Sequence, residues 1–293
     1  MRMRKNSDNS ARRGVLYRRD FCGMMVSVIR MKHNSMDQNG GFDPGSASAD
    51  YAKYCDIYPF GMYEMLSRFG IGAAGQRILD LGSGPAILPL GMAYTRAQFV
   101  ASDIAEDQIA LGARITRDQG IFNIDFRVCA AEDTGFPDNS FEAVTAVQSF
   151  PYFDAERAAE EIHRILIPGG LFCIVTVDRM PPEEEAIAGL EALLKKYDPQ
   201  GSMRNFGKYR YTLPAWMENR FEIATIHSFN VISCMTRETW LERIKDCRGA
   251  CAEMPTETAA AFEEEYRRLL ADRPEPLKIM HDIHIEIYRC DKA

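Results

Sequence analysis

Two acids and two glycines near the first third of the chain are spaced for ligand chemistry. Asp80, Gly82 and Gly84 stand in LDLGSGPA, Leu79 to Ala86, and Asp103 ends the next apolar run, QFVASD. Glycines let the backbone turn tightly and bring its N–H groups against a ligand. Pro85 suits the first position of a helix, where a missing N–H costs nothing. A carboxylate at Asp103 is placed to accept both hydroxyls of a ribose. Asp80, two residues before the first glycine, can reach an ammonium group beside the loop. A dinucleotide fingerprint G-x-G-x-x-G would need glycine where Ile87 stands, so that reading fails. A cationic amino-acid moiety next to a ribose describes S-adenosylmethionine better than a nicotinamide dinucleotide. Plain structural readings compete: turn glycines, a helix cap at Asp103, and surface charge at Glu132 and Asp133.

The elements that must hold these residues alternate. Apolar runs RILDLG, QFVASD, IDFRVCA, FEAVTAV and GLFCIVTV read as strands, separated by helical patterns such as AEDQIALGARITRDQG and AERAAEEIHRIL. Strand–helix alternation implies right-handed crossovers and a parallel sheet covered on both faces. The rhythm breaks after Asp178. PPEEEAIAGLEALLKKYDP is a helix complementary to its own dipole and opens an insertion at about 181–220. FEIATIHSFNVIS and HDIHIEIYRC then read as late strands divided by the helices TRETWLERIKDC and TETAAAFEEEYRRLLAD. The expected fold is α/β: a Rossmann-like seven-stranded, mostly parallel sheet with helices on both faces and an antiparallel C-terminal edge. Residues 1–50 read as a disordered leader and 51–293 as the domain.

At these motifs the chain resembles the class I S-adenosylmethionine-dependent methyltransferases, in their small-molecule (methyltransferase type 11) branch. The family loop acid-x-Gly-x-Gly-x-Gly has Ala86 at its third glycine here. AAEDTGFPDNSFEAV resembles the segment that holds the adenine, with Ala130 where many relatives carry an acid, so Glu132 or Asp133 takes that role. HRILIPGGLFCIV resembles the family's helix, Pro-Gly-Gly turn and fifth strand. The resemblance implies S-adenosylmethionine as cofactor, S-adenosylhomocysteine as product, and a cofactor set of Asp80, Gly82, Ser83, Gly84, Asp103, Ile104, Ala131, Glu132 and Gln148.

Methyl transfer from a sulfonium is an in-line displacement that needs chiefly proximity, alignment and desolvation. No catalytic base is therefore expected from a motif, and His163, inside EEIHRIL, reads as structural. The acceptor pocket is expected from three places: the aromatic segment with Tyr51, Tyr54, Tyr58 and Tyr63, the turn QSFPYF with Tyr152, and MRNFGKYRYTLPAW with Arg204. QSFPYF is closer to the turn of small-molecule relatives than to the Pro-Pro-aromatic clamp of amino-methyltransferases, and Pro151 stands where those relatives carry histidine. Nucleic-acid or protein amino-methylation, a non-catalytic binding module and an NAD-dependent oxidoreductase are the competing functions.

Composition limits the partners. Of 293 residues 46% are hydrophobic and 26% charged, with a formal net charge of -7. An acidic body disfavours nucleic acid, and no apolar run is long enough for a membrane helix. A cytoplasmic protein acting on a small molecule is expected. The eight cysteines are scattered, as buried thiols in a reducing compartment would be. The close pair in CRGAC, Cys247 and Cys251, lacks companions for a metal site, so no metal is expected.

Overall fold

Short apolar runs bounded by glycine and proline build strands buried on both faces, and the sheet is assembled from these. A computed structural model describes residues 58–179, 186–197, 213–245 and 254–292. The strands are β1 Arg77–Leu81, β2 Gln98–Asp103, β3 Ile124–Val128, β4 Phe141–Val147, β5 Leu166–Arg179, β6 Phe221–Met235 and β7 Leu277–Cys290. They form one seven-stranded sheet in the order β3-β2-β1-β4-β5-β7-β6. The first five pair in parallel, and β7 runs antiparallel to both β5 and β6. The expected mostly parallel sheet with an antiparallel C-terminal edge is what is found.

The helices are α1 Phe60–Arg68, α2 Ile87–Met92, α3 Glu106–Asp118, α4 Ala155–Ile165, α5 Ala186–Tyr197, α6 Arg237–Lys245 and α7 Thr256–Ala271. On one face of the sheet Met62, Tyr63 and Leu66 of α1, Leu88 and Leu90 of α2 and Ile115 of α3 pack on Ile78, Cys173 and Ile285. On the other, Ala158, Ile162 and Ile165 of α4 pack on Leu79, Val144 and Phe172. Asp154 caps α4 by accepting from Arg157 N, and Glu156 lies in its first turn with His163 and Arg164 in its last.

Buried Glu161 of α4 ties this face down. It accepts from Thr134 N at 2.9 Å and from Arg164 Nε at 2.8 Å. Burial raises its pKa, but the bonds from Arg164 and Thr134 outweigh that and hold it below 4.5. A carboxylate held below its unfolded value stabilises the fold above about pH 4.5, and that contribution is lost as acid protonates it. Glu161→Gln is expected to cost about 1–2 kcal/mol, because the part-exposed Arg164 loses one charged partner while keeping Asp138. The same variant flattens the acid limb of stability. Urea melts at pH 7 and pH 4.5 measure both effects.

Two features depart from the sequence reading. Pro85 precedes rather than opens its helix: α2 starts at Ile87, and Ala86 takes a left-handed conformation with φ 65°. The late strands are also longer than their apolar patterns. β5, β6 and β7 run on past the end of β4, with Met235 of β6 paired to Leu277 of β7. Around those far ends a separate core forms from Leu190 and Leu193 of α5, Trp240 and Ile244 of α6, and Phe262, Tyr266 and Leu270 of α7, packed on Met235, Leu277 and Ile279. The helical addition expected at 181–220 is thus joined by both helices between β6 and β7. The leader boundary at 50/51, Tyr51, Tyr54, Arg204 and the Cys247/Cys251 pair lie outside the described residues.

Candidate active site

Three backbone turns at the carboxyl edges of β1, β2 and β4 bring the predicted acids and glycines together. After β1 the chain alternates left-handed positions, with φ 64° at Gly82, 55° at Gly84 and 65° at Ala86. The loop is anchored by Ser83 N donating to Ser102 O at 2.8 Å. A non-glycine residue in this conformation is strained by about 1–2 kcal/mol, so the family's third glycine position is being met here by Ala86 at a cost. Ala86→Gly is expected to be tolerated within about 0.5 kcal/mol, since released strain offsets the lost methyl. Ala101→Gly, equally buried in β2, is expected to cost about 1–2 kcal/mol, having no strain to release. Paired thermal melts test the difference.

Asp80 lies beneath the loop with 2% of its surface exposed. Ser83 Oγ and Thr145 Oγ1 each donate to one of its carboxylate oxygens, both at 2.6 Å. Burial, partly offset by these two bonds and reinforced by the charge of Asp103, raises its pKa from 3.8 to about 6. Among the described residues its partners are two hydroxyls and no cation. The pKa of the Tyr58 hydroxyl, at the start of the described chain, is raised by burial and by the charge of Asp80. Tyr63, by contrast, packs into the core against Gly91 of α2 and does not line the site.

Asp103 ends β2 and is held in place by its own backbone surroundings. Gly84 N donates to one oxygen at 2.8 Å and Ala105 N to the other at 2.9 Å. Each oxygen keeps a lone pair for further donors. Ile104 follows with 76% of its surface exposed, while Ala131 is buried on the far side of the β3 turn. Glu132 accepts from Asp154 N at 2.8 Å, which engages one oxygen of the carboxylate expected at the adenine.

Gln148 behaves differently from the expected cofactor neighbour. It leaves β4 at φ 59°, and its carboxamide clamps both backbone groups of Val177 in β5. Nε2 donates to the carbonyl at 2.8 Å and Oε1 accepts from the N–H at 3.1 Å. The side chain thus continues the β4–β5 ladder one step after the backbone has turned away. Ser149 next donates to Leu81 O at 2.7 Å. Phe150 is buried against Phe172, Phe153 and Trp216, and Tyr152 stands 73% exposed. His163 meets Asp291 at 3.1 Å and packs edge-on against Phe221.

Sequence reading missed one polar group here. Past Val177, Asp178 of β5 is paired with Asp282 of β7. His284 bonds Ser228 Oγ of β6 through Nδ1 at 2.7 Å and lies 3.2 Å from Asp282 through Nε2. Burial and Asp282 raise the Asp178 pKa against the opposing charge of His284. The only sequence signal was the polar alternation within HDIHIEIY. No group of His, Cys, Asp or Glu that could hold a metal ion exists among the described residues.

A parallel five-stranded half-sheet, an antiparallel β7 between β5 and β6, and an acid-glycine loop after β1 together define the class I methyltransferase fold. Residues 79–174 match the family described as a methyltransferase domain. Over 165 residues the chain is 31% identical to the ubiquinone/menaquinone biosynthesis C-methyltransferase UbiE of Hydrogenovibrio crunogenus, covering 53% of this chain and 63% of that relative. The UbiE of Serratia proteamaculans matches at 31% over 139 residues, 44% of this chain and 55% of the relative. The chain therefore spans little more than half the length of these curated relatives. Among solved structures, a proposed type II methyltransferase from Anaeromyxobacter dehalogenans aligns with a TM-score of 0.58 at 20% identity, covering 79% of this chain and 96% of that one. Residues 79–174 thus match a methyltransferase domain, and the sheet around them shares its fold with a methyltransferase structure.

Proposed function

We propose that the protein transfers the methyl group of S-adenosylmethionine to a small-molecule acceptor, releasing S-adenosylhomocysteine. The observation that carries this reading is Asp80: a buried carboxylate at the edge of a glycine loop, bonded by two hydroxyls and lacking a cation among the described residues. An ammonium group suits it, and the fixed carboxylate of Asp103, 2.8 Å from Gly84 N, suits a ribose diol. The residues present therefore fit the cofactor. When bound, it supplies an activated methyl on a sulfonium.

In this reading Gly82, Ser83 and Gly84 leave room for the amino-acid end. Ile104, Ala131 and Glu132 surround the adenine. Gln148 acts by fixing the β4 turn on β5 instead of touching the cofactor. Tyr152, with Tyr51, Tyr54 and Arg204, belongs to the acceptor side. The Asp178, Asp282 and His284 group borders that side and offers proton acceptors to an acceptor that arrives protonated. The helices packed on the far ends of β6 and β7 shield the site from water. We also assign the protein to the cytoplasm, with no nucleic-acid partner. No described helix is long and apolar enough to cross a membrane.

The matched relatives are named for C-methylation in ubiquinone and menaquinone biosynthesis. Short-chain hydroquinones are therefore the first acceptors to try, because a reduced ring offers an electron-rich carbon to the sulfonium whereas an oxidised ring does not. The test is calorimetric titration with S-adenosylmethionine and S-adenosylhomocysteine, followed by transfer of a tritiated methyl group to hydroquinones, DNA, RNA and protein. Binding with label on a small molecule supports the reading. Label on a macromolecule overturns the acceptor class, and absence of binding to either cofactor form overturns the function.

A further inference from the structure

The two faces of β7 differ sharply in chemistry. Ile283, Ile285 and Ile287 are buried on the face that α1 covers, and Asp282, His284 and Glu286 alternate with them on the other. His284 and Glu286 expose only 4% and 7% of their surface, although burying polar groups costs stability that isoleucine would not. Glu286 accepts from the Tyr288 hydroxyl. His284 is engaged at both ends of its ring: Nδ1 lies 2.7 Å from Ser228 Oγ of β6, and Nε2 3.2 Å from Asp282 Oδ2. A carboxylate beside Nε2 favours the tautomer with its proton there, so Nδ1 accepts and the Ser228 hydroxyl donates. Strand register sets this arrangement. Thr176, His284 and Ser228 form one row across β5, β7 and β6, and Asp178, Asp282 and Asn230 form the next.

The three groups are graded in exposure: His284 is buried, Asp282 is mostly buried and Ser228 is exposed. A hydroxyl that donates to a buried imidazole keeps its lone pairs for a donor outside. A proton met at Ser228 can therefore pass inward. Acids surround the imidazole, with Asp178 from β5 and with Asp282 and Glu286 on either side of it in β7, while β6 brings the uncharged Ser228 and Asn230. Negative charge there favours the imidazolium, the state through which a relay passes. The row also lies level with the end of β4, since Val147 pairs with Val175 and Gln148 grips Val177. Ser228 stands three strand spacings from β4, about 14 Å. An acceptor reaching from one to the other spans at least a ring.

We propose, on the reading that the protein methylates a small molecule, that Ser228, His284 and Asp282 relay a proton from an aromatic hydroxyl of the acceptor. The acceptor's O–H bond breaks as Ser228 Oγ takes its proton, and the Ser228 proton moves to His284 Nδ1. Asp282 is a positioning residue that orients the ring and faces the imidazolium. The electron pair left on the acceptor oxygen spreads into the aromatic ring and enriches the atom to be methylated. The relay gives its proton to water when the product leaves.

The experiment uses the full chain and para-nitrophenol, whose phenol and phenolate absorb differently, at a pH where the free dye is mostly protonated. The native protein is expected to bind the dye saturably with a rise in phenolate absorption. Ser228→Ala and His284→Gln are each expected to lower the bound phenolate fraction by about tenfold, and Ser228→Thr to restore it. Asp282→Asn should lower that fraction with little change in dye affinity, an effect that a merely structural aspartate would not have. Calorimetry with S-adenosylhomocysteine on every protein shows which variants are folded. Where His284→Gln fails to fold, the exposed Ser228 still decides the matter. Absence of saturable dye binding, or an equal phenolate fraction in Ser228→Ala and the native protein, overturns the relay. Failure of the native protein to bind S-adenosylhomocysteine overturns the methyl-transfer reading instead, because the dye signal needs no cofactor.

Discussion

Replacing Asp80 by Asn is expected to weaken S-adenosylmethionine binding at least a hundredfold while leaving the protein no less stable. A hundredfold is about 2.7 kcal/mol, within the range for removing one member of a buried, hydrogen-bonded charge pair. The stability half of the expectation follows from the same carboxylate. Its pKa is raised to about 6 in the fold from an ordinary 3.8. Between those values the folded state binds more protons than the unfolded one, so this group makes the unliganded protein lose stability as pH rises toward 6. Asparagine removes that cost and keeps the shape, since Ser83 Oγ and Thr145 Oγ1 can each donate to or accept from a carboxamide. Ligand binding has the opposite dependence. An ammonium group requires the ionised acid, so affinity should hold above pH 6 and fall by up to about tenfold per unit below it. Calorimetry across pH 5–8 and thermal melts of both forms test the pair of effects. A dissociation constant for Asp80→Asn within tenfold of the native value would sink the assignment of Asp80 to the ammonium group.

How much was legible in the sequence depended on the distance over which each feature is encoded. β1 and β4 read correctly because parallel strands covered on both faces become unbroken apolar runs. The glycine loop and Asp103 were legible because the turn, its acid and the end of the next strand are local signals at fixed offsets. What failed was pairing at long range. Gln148 was assigned to the cofactor from its place after β4, but its carboxamide is taken by Val177, 29 residues on. His284 and Ser228 are 56 residues apart and meet through strand register alone. The extension of β6 and β7 was equally hidden: Leu277 and Ile279 look like any short apolar alternation until Met235 and the helices give them a core. Ala86 was recognised as a departure from glycine, but its left-handed backbone is a matter of φ, which composition does not encode.

Gly82→Ala is expected to cost about 2–5 kcal/mol, and Ser149 is the reason. A Cβ on Gly82 would sit 2.5 Å from Ser149 Cβ and 3.2 Å from the Phe153 ring, on a residue whose φ is +64°. Left-handed strain accounts for about 1–2 kcal/mol, and overpacking against a fixed neighbour adds about 1–3 kcal/mol. Ser149 cannot step aside cheaply, because its hydroxyl is bonded to Leu81 O and the preceding Gln148 is clamped to Val177. The added methyl must therefore displace the glycine loop or the β4 turn, and either movement spoils the cofactor edge. Gly84→Ala shares the left-handed strain, but the nearest atom to its new Cβ is Gln108 Oε1 at 3.9 Å, so its cost should stop at about 1–2 kcal/mol. The mechanism separates cleanly in a pair of double variants. Gly82→Ala/Ser149→Gly removes the colliding Cβ and should be more stable than the two single changes sum to. Gly82→Ala/Ser149→Ala keeps that Cβ, loses only the hydroxyl bond and should show no such rescue. Denaturant melts of the native protein, the single variants and both doubles measure the coupling. Equal coupling in the two double variants would show that strain alone, without the contact to Ser149, makes glycine necessary at position 82.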